Sequence, residues 1–266
     1  MVIWDMVAML AIILFGIPHG GFDAAIARRN DLLSNSLLSW AGFHLAYVFI
    51  AALVAILWWW FPLPSLILFL IISAFHFGAS DIADTGSDWL PWLCHGGLIT
   101  IVIPSVHPQV VMSIFALLTN VQQSEWLIGI LQLIFYIWIL CCIGYCIFTW
   151  HQKKYRKPLF NLFCLIGIVI LTPPLVSFAL YFCLWHSPGH TLRLWKSLPR
   201  NIRKSTLKEA AVYTLLAWLT LIVLFLSLNG SVTEILLQLI FIGLAALTWP
   251  HMILVDYMDK QRVLSL

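Results

Sequence analysis

Charge is what this sequence has least of: only 9% of its 266 residues are Asp, Glu, Lys or Arg, while 62% are hydrophobic. A soluble domain carries about 25% charged residues, so this composition cannot cover a water-facing surface. Long polar or low-complexity stretches are missing too, which excludes disorder. The 14 basic residues leave a formal charge of only +3 and lie in short loops without interleaved aromatics, which argues against nucleic acid as a partner. The six cysteines (Cys94, Cys141, Cys142, Cys146, Cys164, Cys183) lack metal-type spacing and read as small apolar residues. A basic region and a small-residue cleavage pattern are absent near Met1, and Asp5 stands there instead, so the first apolar run reads as a span rather than a signal peptide.

What remains is a succession of apolar runs with a mean hydropathy of +0.98. Runs near or above 18 residues suit helices crossing a hydrocarbon core of ~30 Å and do not suit the alternating strands of a membrane barrel. The expected fold is all-α, a polytopic transmembrane bundle of about eight to nine segments forming one membrane domain over 1–266. Candidate spans are 2–22, 37–60, 63–82, 89–118, 125–149, 159–172, 174–191, 209–228 and 232–257. The fourth is expected to break near Pro104, His107 and Pro108, and Pro173-Pro174 is expected to separate the sixth and seventh. Every Lys and Arg then falls on one side: Arg28 and Arg29, 153–157, 193–208, and Lys260 with Arg262. Cytoplasmic loops retain such residues, so the N-terminus is expected outside and the C-terminus inside. Trp58, Trp59, Trp60, Trp89, Trp92, Trp126, Trp150 and Trp249 fall near span ends, where indole rings favour the interface.

Nine histidines stand in this apolar chain, and an ionisable group at membrane depth is costly enough to be a functional candidate. Three groups stand out: Pro18-His19-Gly20-Gly21-Phe22-Asp23, Phe75-His76-Phe77-Gly78 followed by Asp81, and Trp185-His186-Ser187-Pro188-Gly189-His190. His19 lies nine residues before Arg28 and His186 seven before Arg193, which at 1.5 Å per residue puts each roughly 10 to 14 Å from a cytoplasmic charge. His76 falls at a similar depth. Four neutral imidazoles at one level suit iron, copper, zinc or nickel, with Asp23 and Asp81 as imidazole orienters. A single histidine of this kind is equally well explained by an interhelical hydrogen bond. His95, His44 and His251 also fall in the inner half and carry less weight: a supporting, proton-transfer or alternative-ligand role is open to each, but interhelical bonding explains them better. His107 and His151 are expected in solvated loops, and Glu125 and Glu234 at outer span ends.

In this order, the proline-His19-glycine group with Asp23, Phe75-His76-Phe77-Gly78 with Asp81, and Trp185-His186-Ser187 with His190 resemble the Brp/Blh family of bacterial and archaeal β-carotene dioxygenases. The likeness covers essentially the whole chain. It implies an enzyme of the cell inner membrane that splits the central double bond of β-carotene with O₂ to give two retinals. It also implies a non-haem Fe(2+) held by His19, His76, His186 and His190, with a functional link to a retinal-binding rhodopsin. The chemistry is compatible, because a polyene offers no acid, base or leaving group and zinc has no redox chemistry to activate oxygen. Phe15, Phe22, Phe75, Phe77, Tyr181, Phe182 and Trp185 could line a tunnel opening to lipid, although helix packing explains each one singly. Two other classes compete: a b-type haem electron-transfer protein, recognisable by a Soret band, and a histidine-dependent transporter, recognisable by flux. A zinc protease is disfavoured because 186–190 lacks the glutamate of His-Glu-x-x-His, and the His-x-x-His-His boxes of membrane desaturases are absent.

Overall fold

The computed structural model describes residues 3–34, 36–86 and 88–258, apart from the side chains of His19 and of 256–258. Lys260 and Arg262, counted above among the one-sided basic residues, lie outside it. The described chain is a series of ten helical segments with no strand among them. They are α1 (Ile3–Arg29), α2 (Leu37–Trp60), α3 (Pro62–Asp81), α4 (Trp89–Val106), α5 (Pro108–Leu118), α6 (Val121–His151), α7 (Arg156–Leu171), α8 (174–197), α9 (Arg203–Ser227) and α10 (Val232–Met252). The all-α expectation therefore holds, and seven of these segments (α1 to α4, α6, α9 and α10) are long and apolar enough to cross a membrane.

The boundaries follow from local chemistry. Ser36, Asn120 and Ser231 cap α2, α6 and α10 by accepting from the backbone N–H groups of Ser39, Gln123 and Glu234, and Glu234 closes a full capping box with Ser231. Glu234 thus has a structural role. The expected break in the fourth span occurs at His107, between α4 and α5, and α7 ends at Leu171 before Pro174 opens α8. Neither α7, with 16 residues, nor α8, polar at its centre from His186 to His190, is in the set of seven.

The chain divides into two contact-dense halves, 3–8 with 62–182 and 9–61 with 183–258. In the first, α3 packs most closely on α4, and α4 also packs on α6. Buried Leu66, Phe69, Ser73, His76 and Ser80 form one helical stripe on α3; Pro91, Cys94, His95 and Leu98 form another on α4. Between membrane helices, small residues set the approach rather than apolarity. A Cβ on Gly96 would run into the Ala74 carbonyl, and one on Gly78 into the Trp92 carbonyl, so these two contacts fix the register of α3 and α4. In the second half α2 packs on α10, and the turn at 17–22 packs on α9, where a Cβ on Gly21 would stand 2.7 Å from the Ala210 carbonyl oxygen.

Each half gathers its loop charges at one end. Arg28 donates to both carboxylate oxygens of Glu209 at 2.5 and 2.6 Å, and Arg29 donates to Ser197 at 2.9 Å, so the basic segments at 28–29 and 193–208 share an end. In the other half Tyr155 donates to Asp88 at 2.7 Å and Lys154 lies 3.6 Å from the same carboxylate. The acidic 82–88 loop and the basic 153–157 loop are therefore neighbours, as expected of loops on one side. Gly86, at φ 142°, turns the acidic loop beneath the Tyr155 hydroxyl.

The outer surface is apolar. Trp59, Trp60, Trp89, Trp126 and Trp150 are exposed near helix ends, as interface anchors require, whereas Trp58 is buried.

Candidate metal centre

Four π-helical turns occur among the described residues, and each lies within three residues of a histidine. Ile12–Gly16 precedes His19, Leu98–Val102 follows His95, Tyr181–His186 ends on His186, and Ile253–Met258 follows His251. Prolines account for three of them. Pro18, Pro104 and Pro188 have no N–H to offer the carbonyls of Leu14, Thr100 and Leu184 four residues back, and their rings would collide with those carbonyls in a regular helix. A wider turn removes the clash, and such turns recur at functional sites. At 186–190 the widening settles the local geometry: His186 is helical at φ −66° and ψ −59°, and Ser187–Ser197 continues the helix through Pro188. His186 and His190 are therefore one helical turn apart, and both are buried.

The half formed by 9–61 and 183–258 holds His186, His190 and His251, and His19 by its backbone, in the turn Ile17–Phe22. The His19 side chain lies outside the described set. Asp23, four residues on, is buried and occupied on both carboxylate oxygens: the Tyr47 hydroxyl donates to Oδ2 at 2.7 Å, and His251 Nδ1 lies 2.7 Å from Oδ1. A carboxylate only accepts, so Nδ1 of His251 is the donor in this contact, and in the neutral ring the lone pair then lies on Nε2. The His251 ring in turn packs against His190, with centroids 5.2 Å apart and planes at 68°. Asp23 does orient an imidazole, but among the described residues that imidazole is His251.

The other half repeats the pattern with different residues. Asp81 accepts from the Tyr181 hydroxyl at 3.1 Å and lies 3.5 Å from Nδ1 of His95, beyond ordinary hydrogen-bond length. His95 is 1% exposed, and its Nε2 has no hydrogen-bond partner among the described residues. His76 is buried on the neighbouring helix. The register that seats Gly96 on Ala74 and Gly78 on Trp92 brings 76 and 94 opposite one another, so His95 and His76 lie at nearly one level. The edge of Phe77 meets the rings of Tyr181 and Phe182 at 5.2 and 6.4 Å, and Phe178 stacks on Phe182.

Within neither half do three described His, Cys, Asp or Glu side chains close on one point. The described donors come instead as pairs, His190 with His251 and His95 with Asp81. The thiols take no part in them, and buried Cys183 donates to the Ala11 carbonyl.

Two expectations need correction. His107 is not a solvated loop residue: it is half-buried at the α4–α5 break, and its Nε2 lies 2.8 Å from the Val169 carbonyl oxygen, tying that break to α7. Phe15, Phe75 and Trp185 are not interior. They are exposed on the apolar outer surface, whereas Phe22, Phe77, Tyr181 and Phe182 are buried. His151 is exposed at the end of α6, and His44 is used at both nitrogens, toward the Trp40 carbonyl and the Tyr213 hydroxyl at 2.7 Å each. The residue that sequence reasoning undervalued is His251. Its one local signal is the Pro250-His251 step, which repeats Pro18-His19.

A helical membrane protein with five buried imidazoles among its described residues, two of them beside a carboxylate, falls in a small chemical class, that of intramembrane histidine-rich proteins. Residues 10–259 match the family Beta-carotene 15,15'-dioxygenase. The chain is 35% identical, over 263 residues, to the Beta-carotene 15,15'-dioxygenase of Uncultured marine bacterium 66A03, a relation that spans 96% of this chain and 94% of that one. The chain belongs to the beta-carotene 15,15'-dioxygenase family. No solved structure matches it.

Proposed function

We propose that this protein cleaves the central double bond of β-carotene with O₂, giving two molecules of retinal. The observation that carries this is the family match over residues 10–259, with all three histidine groups inside it. The reaction balances without a further reductant: one C=C bond breaks, and the two oxygen atoms of one O₂ become the two aldehyde oxygens. His19, His76, His186 and His190 would hold a ferrous ion. The donor set fits such an ion, since it offers imidazoles rather than thiolates, and His76, His186 and His190 are all buried. When bound, the metal supplies the redox chemistry that O₂ requires to attack an unactivated alkene.

The remaining work belongs to the chain. Asp23 and Tyr47 hold the His251 ring in one tautomer and one orientation. Phe77, Tyr181 and Phe182 form an apolar wall that excludes water and suits a polyene. The apolar outer surface lets a hydrocarbon arrive from lipid rather than from water. The setting we propose is the inner membrane, N-terminus outside and C-terminus inside, with a retinal-binding rhodopsin as consumer of the product. Expression in a bacterial host that accumulates β-carotene tests the reading: bleaching with appearance of retinal is expected, and unchanged carotene with the protein confirmed in an aerobic membrane would refute it.

A further inference from the structure

We propose that His251 is a further imidazole donor to the metal, binding beside His190, and that Asp23 is the positioning residue that makes it one. The inference rests on the iron reading above.

Its first support is the tautomer. Asp23 Oδ1 accepts from Nδ1 of His251, which in the neutral ring leaves Nε2 with the only lone pair. A carboxylate on the distal nitrogen is also the common partner of a metal-bound histidine, raising its basicity and fixing its plane. The second oxygen of Asp23 is held by Tyr47, and Asp23 is buried, so the carboxylate has little freedom to turn toward an ion itself.

The second support is distance. With a metal–nitrogen bond of about 2.1 Å, each ring centroid stands about 3.2 Å from the ion, so two imidazoles on one ion have centroids about 4.5 Å apart at right angles and about 6.4 Å apart when opposed. The 5.2 Å between His190 and His251 falls inside that window. The third is the backbone: the π turn Ile253–Met258 starts two residues after His251, the same feature that accompanies His19 and His186. His44, a histidine of the same half with both nitrogens used by protein groups, has no such turn beside it.

Cobalt(II) alone, titrated into the purified full-length protein in detergent, is the probe, because its ligand-field bands report the donor set without turnover. Wild type is expected to bind one ion in competition with ferrous iron. His251→Ala should weaken binding tenfold or more and shift the bands. Asp23→Asn should weaken it by roughly 10- to 100-fold with a smaller band shift, because the donor remains but is no longer oriented. If His251→Ala does not insert, His251→Gln carries the same test, since the amide can still donate to Asp23 but is a poor donor to the metal. Unchanged affinity and bands in the His251 variants, beside a His190→Ala variant that loses both, would overturn the proposal and leave the iron reading standing. A wild-type protein that binds neither cobalt nor iron would overturn both.

Discussion

Each half of the molecule places an aspartate shortly after a motif histidine, gives it a tyrosine hydroxyl, and turns it toward a histidine of another helix, yet the two clusters differ in closeness. Around Asp23 both contacts are 2.7 Å; around Asp81 the tyrosine is at 3.1 Å and the His95 nitrogen at 3.5 Å. The first is a locked hydrogen-bonded chain that selects a tautomer. The second is a looser electrostatic neighbourhood, in which His95 keeps an unsatisfied nitrogen deep in the helix packing. The carboxylate and imidazole are similarly buried in the two, so closeness rather than their desolvation separates an oriented imidazole from a loosely held one.

The largest effect should come from the histidines proposed to hold the metal. Replacing His19, His76, His186 or His190 by Ala is expected to abolish retinal formation and deplete bound iron, measured by product analysis and by metal content of protein that still inserts. A more pointed test lies between the aspartates. Asp23→Asn should cost roughly 10- to 100-fold in activity or metal affinity, the range for an orienting carboxylate, and Asp81→Asn clearly less. An equal or reversed order in paired assays would break the comparison.

Packing offers the next contrast. Gly96→Ala forces a Cβ into the Ala74 backbone, and Gly21→Ala forces one toward Ala210 and Thr214. Overpacking typically costs about 1–3 kcal/mol, and Gly96→Ala should lie at the upper end because its Cβ would run deeper into the Ala74 carbonyl than that of Gly21→Ala into the Ala210 carbonyl. Thermal unfolding in detergent would rank the two. Tyr47→Phe should then destabilise more than Tyr181→Phe, by about 1 kcal/mol, since a hydrogen bond to a buried charge is worth about 1.5–3 kcal/mol when short and well placed.

The smallest effect belongs to the loop end. Burial, with the hydrogen bond to Asp88 second, pushes the Tyr155 hydroxyl up to about 12. A raised folded pKa means stability that is complete below the unfolded value of about 10 and is lost as pH rises toward about 12. Tyr155→Phe should be slightly less stable at neutral pH and should lack that alkaline loss, as read from unfolding curves between pH 9 and 12.

Much of this was legible beforehand, for reasons that particular residues make plain. Prolines 104, 108, 173 and 174 act on their own backbone, so the breaks they cause can be read locally. The motif histidines are conspicuous because few polar groups tolerate an apolar run. Asp23 announces that it orients something, but the something is 228 residues away at His251, and no spacing rule reaches that far. The exposed positions of Phe15, Phe75 and Trp185 were hidden for another reason. When a helix is apolar all round, as lipid demands, its sequence carries no stripe to say which face turns inward, and the glycine contacts that set the facing are tertiary.

Product stoichiometry tests the central claim most directly. Purified protein loaded with ferrous iron and given β-carotene and O₂ is expected to form two retinals for each carotene consumed, to lose that activity on iron chelation, and to regain it with ferrous iron but not zinc. Folded, iron-loaded protein that consumes no carotene, or that cleaves it equally well with zinc, would contradict the account.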